Sequence, residues 1–204
     1  MYMPKQFQLL SMVTILLLII PGCTTPQTME MEEESESQEI DLPERLNLMA
    51  DTAGREIDRG AELDLSSDAN GENTLILWVS TGCTGCHDWT EMIAQSMQNG
   101  TIDNDTRIIT IHRYPSFETR EEVIEVYASE NSSTQSLWPV LIPYNGQPAM
   151  DLDTGEYTEY DYTVAFDNPA TPSFTLLDGD GKTIWKNRTY WANQTVLSEA
   201  IELL

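Results

Sequence analysis

Between Thr74 and Trp89 the chain reads TLILWVSTGCTGCHDW, and this stretch restricts the possible folds more than any other. Thr74 to Val79 is an unbroken run of β-favouring, mostly apolar residues, the pattern of a central strand covered on both faces. Ser80-Thr81-Gly82 is a turn. From Cys86 onward Trp89, Met92, Ile93 and Met97 recur at helical spacing, and Asn99-Gly100 supplies a stop. Cys83 and Cys86 therefore open a helix directly behind a buried strand, which points to a layered α/β architecture.

The elements that follow continue the pattern. Arg107 to His112 alternates as a second strand, and Thr119 with Glu122 forms a capping box for a helix running to about Ser129. Ser173 to Leu177, the turn Asp178-Gly179-Asp180-Gly181 and Thr183 to Trp185 read as a hairpin. Asn193 caps a closing helix whose apolar face carries Val196, Leu197, Ala200, Ile201 and Leu204. Within the long connection Glu130 to Asn168, Trp138-Pro139-Val140-Leu141 fits a strand, and Asp153-Thr154-Gly155-Glu156 fits the turn of an extra hairpin. Asp151, Asp153 and Glu156 miss the EF-hand spacing, so a solvated turn is the better reading there than a calcium loop.

The front of the chain reads as an address. Lys5 precedes an apolar run, Leu9 to Ile20, too short to span a bilayer comfortably, and Ile20-Pro21-Gly22-Cys23 follows. Its end resembles a lipobox, in which cleavage leaves Cys23 as a lipidated first residue. An uncleaved anchor or a plain signal peptide would equally place the remaining chain outside the cytoplasm. The expected organisation is a signal peptide at 1–22, an acidic spacer at 23–45 and a folded domain at 46–204. Thr24 to Asp41 is poor in apolar residues and rich in Glu and Ser, so it buries too little surface to offset its chain entropy. With 34 acidic against 10 basic residues the formal charge is −24, which repels phosphate backbones and excludes nucleic acid as a partner. Five Asn-X-Ser/Thr triplets, at Asn99, Asn104, Asn131, Asn187 and Asn193, are formal glycan acceptors in an exported chain.

The chain has three cysteines. If Cys23 carries lipid, only Cys83 and Cys86 remain, and closing so short a loop removes little chain entropy. The pair is therefore chemical rather than a structural staple. Cys83-Thr84-Gly85-Cys86-His87 fits both a CxxC redox pair and the CxxCH site of haem c, with a methionine such as Met150 as a second axial ligand. The haem reading explains five residues and leaves the strand-to-helix architecture unexplained. A third reading keeps the fold as a binding or chaperone module whose cysteines hold a metal or are idle. In the redox reading Cys83 stands at the helix N-terminus, where unpaired N–H groups favour a thiolate, and is the attacking sulfur. Cys86, one turn further in, resolves the mixed disulfide.

Asp51 to Ile57 (DTAGREI), NTLILWVSTGCTGC and ATPSFTLLDGDGKTI together resemble membrane-tethered thiol-disulfide oxidoreductases of the TlpA and ResA kind, from about Leu48 to the end. The resemblance implies a thioredoxin-like fold: a central mixed β-sheet flanked by helices, with an extra N-terminal hairpin and an insertion before a strand that follows a cis-proline. It implies that Pro172 is the cis-proline facing the CxxC, and that Thr171 and Pro172 pair with the backbone of a substrate peptide. His87, the next residue of the helix, is either a tuner of the nearby thiols or simply solvated. The implied partners are thiols and disulfides of exported proteins, a membrane thiol-electron donor, and the membrane itself through Cys23. No cofactor beyond the Cys83–Cys86 pair and no metal is implied. Two positions depart from the family pattern: Gly82 stands where many members carry Trp, and Leu77 where some carry a buried acid. The 130–168 insertion is the candidate for substrate selection.

Overall fold

The computed structural model describes residues 41–204; the expected signal peptide, Cys23 and most of the acidic spacer lie outside the described residues. The chain enters through β1 (Leu46–Asn47), β2 (Met49–Asp51), a 3-10 turn (Glu56–Asp58), β3 (Glu62–Asp64) and the short helix α1 (Leu65–Ala69). Then follow β4 (Thr74–Val79), α2 (Thr84–Gln98), β5 (Ile108–His112), α3 (Arg120–Tyr127) and β6 (Val140–Leu141). The remainder forms β7 (Pro148–Asp151), β8 (Glu156–Asp161), α4 (Tyr162–Ala165), β9 (Ser173–Leu177), β10 (Thr183–Asn187) and α5 (Gln194–Glu202).

Strand β4 is the centre of a five-stranded sheet with the order β10-β9-β4-β5-β6. It runs parallel to β5, which runs parallel to β6, and antiparallel to β9, which pairs antiparallel with β10. The sheet is mixed and helices flank it. On one face Leu75, Leu77, Val79 and Ile108 pack with Trp89, Ile93 and Met97 of α2, Val123 and Tyr127 of α3, and Leu197 and Ala200 of α5. On the other, Ile76, Trp78, Ile109 and Ile111 meet Leu46 and Leu48, Leu65 of α1, Ala149, and Tyr162 and Phe166 around α4. Period-2 alternation along β4 thus feeds two cores at once, which is why its sequence shows no polar face.

Strand β5 corrects the expectation of alternation, since all five of its residues are buried. It lies between β4 and β6, and its two polar side chains find partners in the interior. The Trp138 indole N–H donates to Thr110 Oγ1 at 2.8 Å, and His112 meets Glu118 at 2.7 Å. The N-terminal hairpin is present as β2 paired with β3, but DTAGREI supplies only its first turn and not a complete strand pair. The expected strand at Trp138–Leu141 shortens to Val140–Leu141, and the extra hairpin is β7 with β8. The chain is already engaged with the domain at Glu44, 2.7 Å from Lys182, and at Arg45, 2.9 Å from Asp153.

One buried ion pair ties the N-terminal hairpin to the sheet. Asp58 is fully buried and accepts from the Arg55 guanidinium at 2.7 and 3.0 Å, from the Arg55 backbone N–H at 2.7 Å and from the Val140 N–H at 3.0 Å. Two further Arg55 N–H groups donate to the carbonyls of Ser136 and Trp138, at 2.7 and 2.9 Å. Every lone pair of a buried carboxylate that faces a donor lowers the desolvation cost of keeping it there.

Candidate active site

Strand β4 ends at Val79, and within four residues the chain turns through Ser80-Thr81-Gly82 into Cys83, the N-cap of α2. Cys83 and Cys86 are joined as a disulfide, with Cα atoms 5.2 Å apart. The Cys86 N–H donates to Cys83 Sγ at 3.1 Å, so the first turn of a 15-residue helix points a donor at that sulfur, and no acidic residue sits in that turn to oppose a negative charge. Residue Cys83 retains 8% exposure and Cys86 none, so Cys83 is the cysteine nearer the solvent. Below the pair lies an apolar floor: Leu77, Trp89 and Phe174 are buried, and the Trp89 and Phe174 rings meet edge to face at 4.8 Å.

Two loops complete the surroundings. The Thr171–Pro172 peptide bond is cis, and Ser173 pairs with Trp78, so Pro172 arrives at the same end of the sheet at which β4 delivers the cysteines. The loop between β10 and α5 lies on the first turn of α2. The Trp89 indole donates to Thr189 O at 2.9 Å, and the Ala192 N–H donates to Asp88 at 2.8 Å. Gly85, between the cysteines, is required by this contact because a Cβ there would lie 2.4 Å from the Tyr190 carbonyl oxygen. Beside it Tyr190 and Trp191 remain 44% and 60% exposed, an aromatic pair next to the disulfide. Gly82 has open space around it, so the approach to Cys83 is not roofed at that position.

His87 meets the turn and not a sulfur. Its Nε2–H donates to Thr81 O at 2.8 Å, and its ring stands edge-on to Tyr127. Tyr127 in turn donates to Ser80 O at 2.7 Å, and burial pushes its phenol far up. The Thr81 N–H donates to both oxygens of Glu118, at 3.0 and 2.9 Å. Burial alone would raise the Glu118 carboxyl, but the Thr81 N–H and the His112 imidazole together hold it below the usual carboxylate range. Burial pushes His112 below the usual imidazole range, against the pull of Glu118. The turn that presents Cys83 is therefore gripped on its carbonyl and amide groups by residues from α2, α3 and the loop before α3.

No protein-family model and no curated protein matches the chain. Among solved structures, a thiol-disulfide oxidoreductase from Bacteroides fragilis superposes with a TM-score of 0.52 at 13% identity, over 79% of this chain and 99% of that one. The thioredoxin domain of a thiol-disulfide oxidoreductase from Bacteroides vulgatus gives a TM-score of 0.50 at 16% identity, over 78% and 95%. The fold is thioredoxin-like. Within this thioredoxin-like frame the structure brings Cys83, Cys86, Thr171 and Pro172 to one end of the sheet, while Cys23 lies outside the described residues.

The haem reading needs both sulfurs in thioether bonds and the His87 imidazole as an iron ligand. In this structure the sulfurs are bonded to each other and His87 Nε2 donates to Thr81 O. Among the described residues no cluster of three metal-ligating side chains exists. Sequence reasoning missed Glu118, His112, Tyr127 and the Tyr190 loop. Glu118 left only a faint signal, an acid just before a capping box, because its partner Thr81 is 37 positions away.

Proposed function

We propose that the protein is an extracytoplasmic thiol-disulfide oxidoreductase that exchanges disulfides with exported proteins through Cys83 and Cys86. The observation that carries this reading is the asymmetry of the pair: Cys83, the N-cap of the helix and the more exposed residue, and Cys86, fully buried inside the first turn. In the oxidising direction a substrate thiolate attacks Cys83 Sγ, the S–S bond breaks and Cys86 leaves as a thiolate that takes up a proton. A second substrate thiolate then attacks its own mixed-disulfide sulfur, and Cys83 leaves with the electron pair, stabilised by the Cys86 N–H and the helix terminus. The substrate is oxidised by two electrons and the protein is left as a dithiol. Reduction of a substrate disulfide is the same sequence in reverse.

Thr171 and Pro172 stand where a substrate backbone would be paired, and the exposed Tyr190–Trp191 pair and the open position at Gly82 leave that approach apolar and unobstructed. The names of the two superposed proteins support the activity, and the fold accommodates it. Equilibrating the purified domain in glutathione buffers and alkylating the free thiols should reveal one reversible two-electron couple assigned to Cys83 and Cys86. A pair that stays oxidised or reduced at every accessible poise would sink the proposal in favour of a binding module.

Lipid on Cys23 would hold the domain at the outer membrane surface, with the acidic stretch as an extended spacer. Cys23→Ser should move the protein from the membrane pellet to the soluble fraction without changing its melting temperature. Retention in the membrane after that change would argue for an uncleaved apolar anchor instead.

A further inference from the structure

We propose that His112 and Glu118 form an acid-sensitive latch on the Ser80–Gly82 turn, positioning Cys83 at neutral pH and releasing it when the pair takes up a proton. As a positioning device the latch rests on the disulfide-exchange reading, but its geometry stands independently. Glu118 leaves the loop before α3 and places both carboxylate oxygens on the Thr81 N–H, two residues before Cys83. His112, the last residue of β5, lies in register with Val79, the last residue of β4, and fixes one of those oxygens at 2.7 Å. Leu77 leaves the β4 position apolar, so this carboxylate enters the turn from a different element altogether.

The latch has a built-in proton sensor. His112 is fully buried and donates from Nε2, so the neutral ring leaves Nδ1 as a lone pair, and Nδ1 has no partner. A second proton would create an N–H with no acceptor, and burial of that donor is unfavourable. The other groups around the pair do not relieve it. Glu122 of α3 favours the charged ring only from a distance, and the Tyr162 hydroxyl of α4 is spent on the His112 carbonyl. On the turn's other side Tyr127 and His87 hold the Ser80 and Thr81 carbonyls. Glu118 and His112 line a surface groove of about 410 Å³ that also carries Asp51 and Arg120, which gives solvent protons a route.

The direction follows from both shifts. Each group binds its proton less readily in the folded state than in the unfolded chain, so the unfolded or released turn takes up protons first as the pH falls. The grip is complete above the ordinary imidazole value of 6.5, weakens as the pH drops from there towards the lowered His112 value, and is lost once Glu118 protonates.

The test uses the oxidised protein and a water-soluble phosphine, with the rate of disulfide reduction divided by that of oxidised glutathione at each pH from about 8 to about 4. The ratio should be flat near neutrality and rise about threefold or more on acidification as Cys83 is released. Glu118→Gln should give a raised ratio with no pH step. A flat wild-type profile, or the same step in Glu118→Gln, overturns the latch. A readout needing no variant is the Thr81 amide proton resonance of the wild type, which should titrate with the carboxylate; a Thr81 signal indifferent to pH also overturns it. Neither measurement requires exchange with a protein substrate, so the latch can fail while the glutathione couple survives, and the reverse.

Discussion

Cys86→Ser is expected to turn the protein into a trap. Its Cys83 thiolate, freed of its resolving partner, should attack substrate disulfides and accumulate as mixed disulfides that disappear on adding reductant, while turnover falls by more than about 100-fold. Cys83→Ser should lose turnover to the same extent but capture nothing, because Cys86 is fully buried and cannot be reached. Non-reducing electrophoresis of the exported fraction followed by mass spectrometry would read the adducts and identify the substrates. Equal capture by both variants would mean that the greater exposure of residue Cys83, 8% against 0% for Cys86, does not govern access, and the assignment of roles would fall.

A second large effect is expected far from the cysteines. Asp58→Ala leaves Arg55 without its carboxylate and strands the Val140 N–H, and breaking a buried pair from one side costs about 3–5 kcal/mol. For a domain of this size the melting temperature should fall by about 6–20 °C. Lys182→Ala, which removes the exposed partner of Glu44, should leave the melt nearly unchanged and serves as the comparison. A small shift for Asp58→Ala would mean that water enters and solvates the vacated site, and that the hairpin's attachment to β6 rests on its apolar contacts alone.

The parts of this molecule that were legible in sequence are those fixed by short-range pattern. The apolar run of β4, the capping box at Thr119 and Glu122 and the Asn193 cap all appear where the sequence places them, because strand burial and helix capping are decided within a few residues. The sheet and its hairpins followed from turn chemistry and from the resemblance in the Pro172 segment. Long-range pairings escaped. Nothing near Asp58 announces that it will receive the Val140 N–H from 82 residues away, and nothing near Glu118 points to Thr81. The alternation read into β5 failed for a related reason: Thr110 and His112 are polar residues whose partners, Trp138 and Glu118, bring hydrogen bonds to them in the interior. At the site itself the cysteines and Pro172 were visible as motifs, whereas the backbone clamps on their turn were not.

The margins of the sheets have a further consequence. The outer side of β6 is occupied by the chain around Asp51–Ala53, where the Ala53 N–H donates to Val140 O and the Ile142 N–H to Asp51 O. At the opposite margin, β10 breaks register between Thr183 and Trp185, is preceded by Lys182 and carries Lys186. In the three-stranded sheet β1-β7-β8, the edge strand β8 carries Glu156, Glu159 and Asp161. Covering, kinking and charging are three ways of denying a foreign strand a place to add on. A protein whose work would bring it against incompletely folded chains, with their own unpaired strands, can touch them at the cysteines without being drawn into a shared aggregate along its edges.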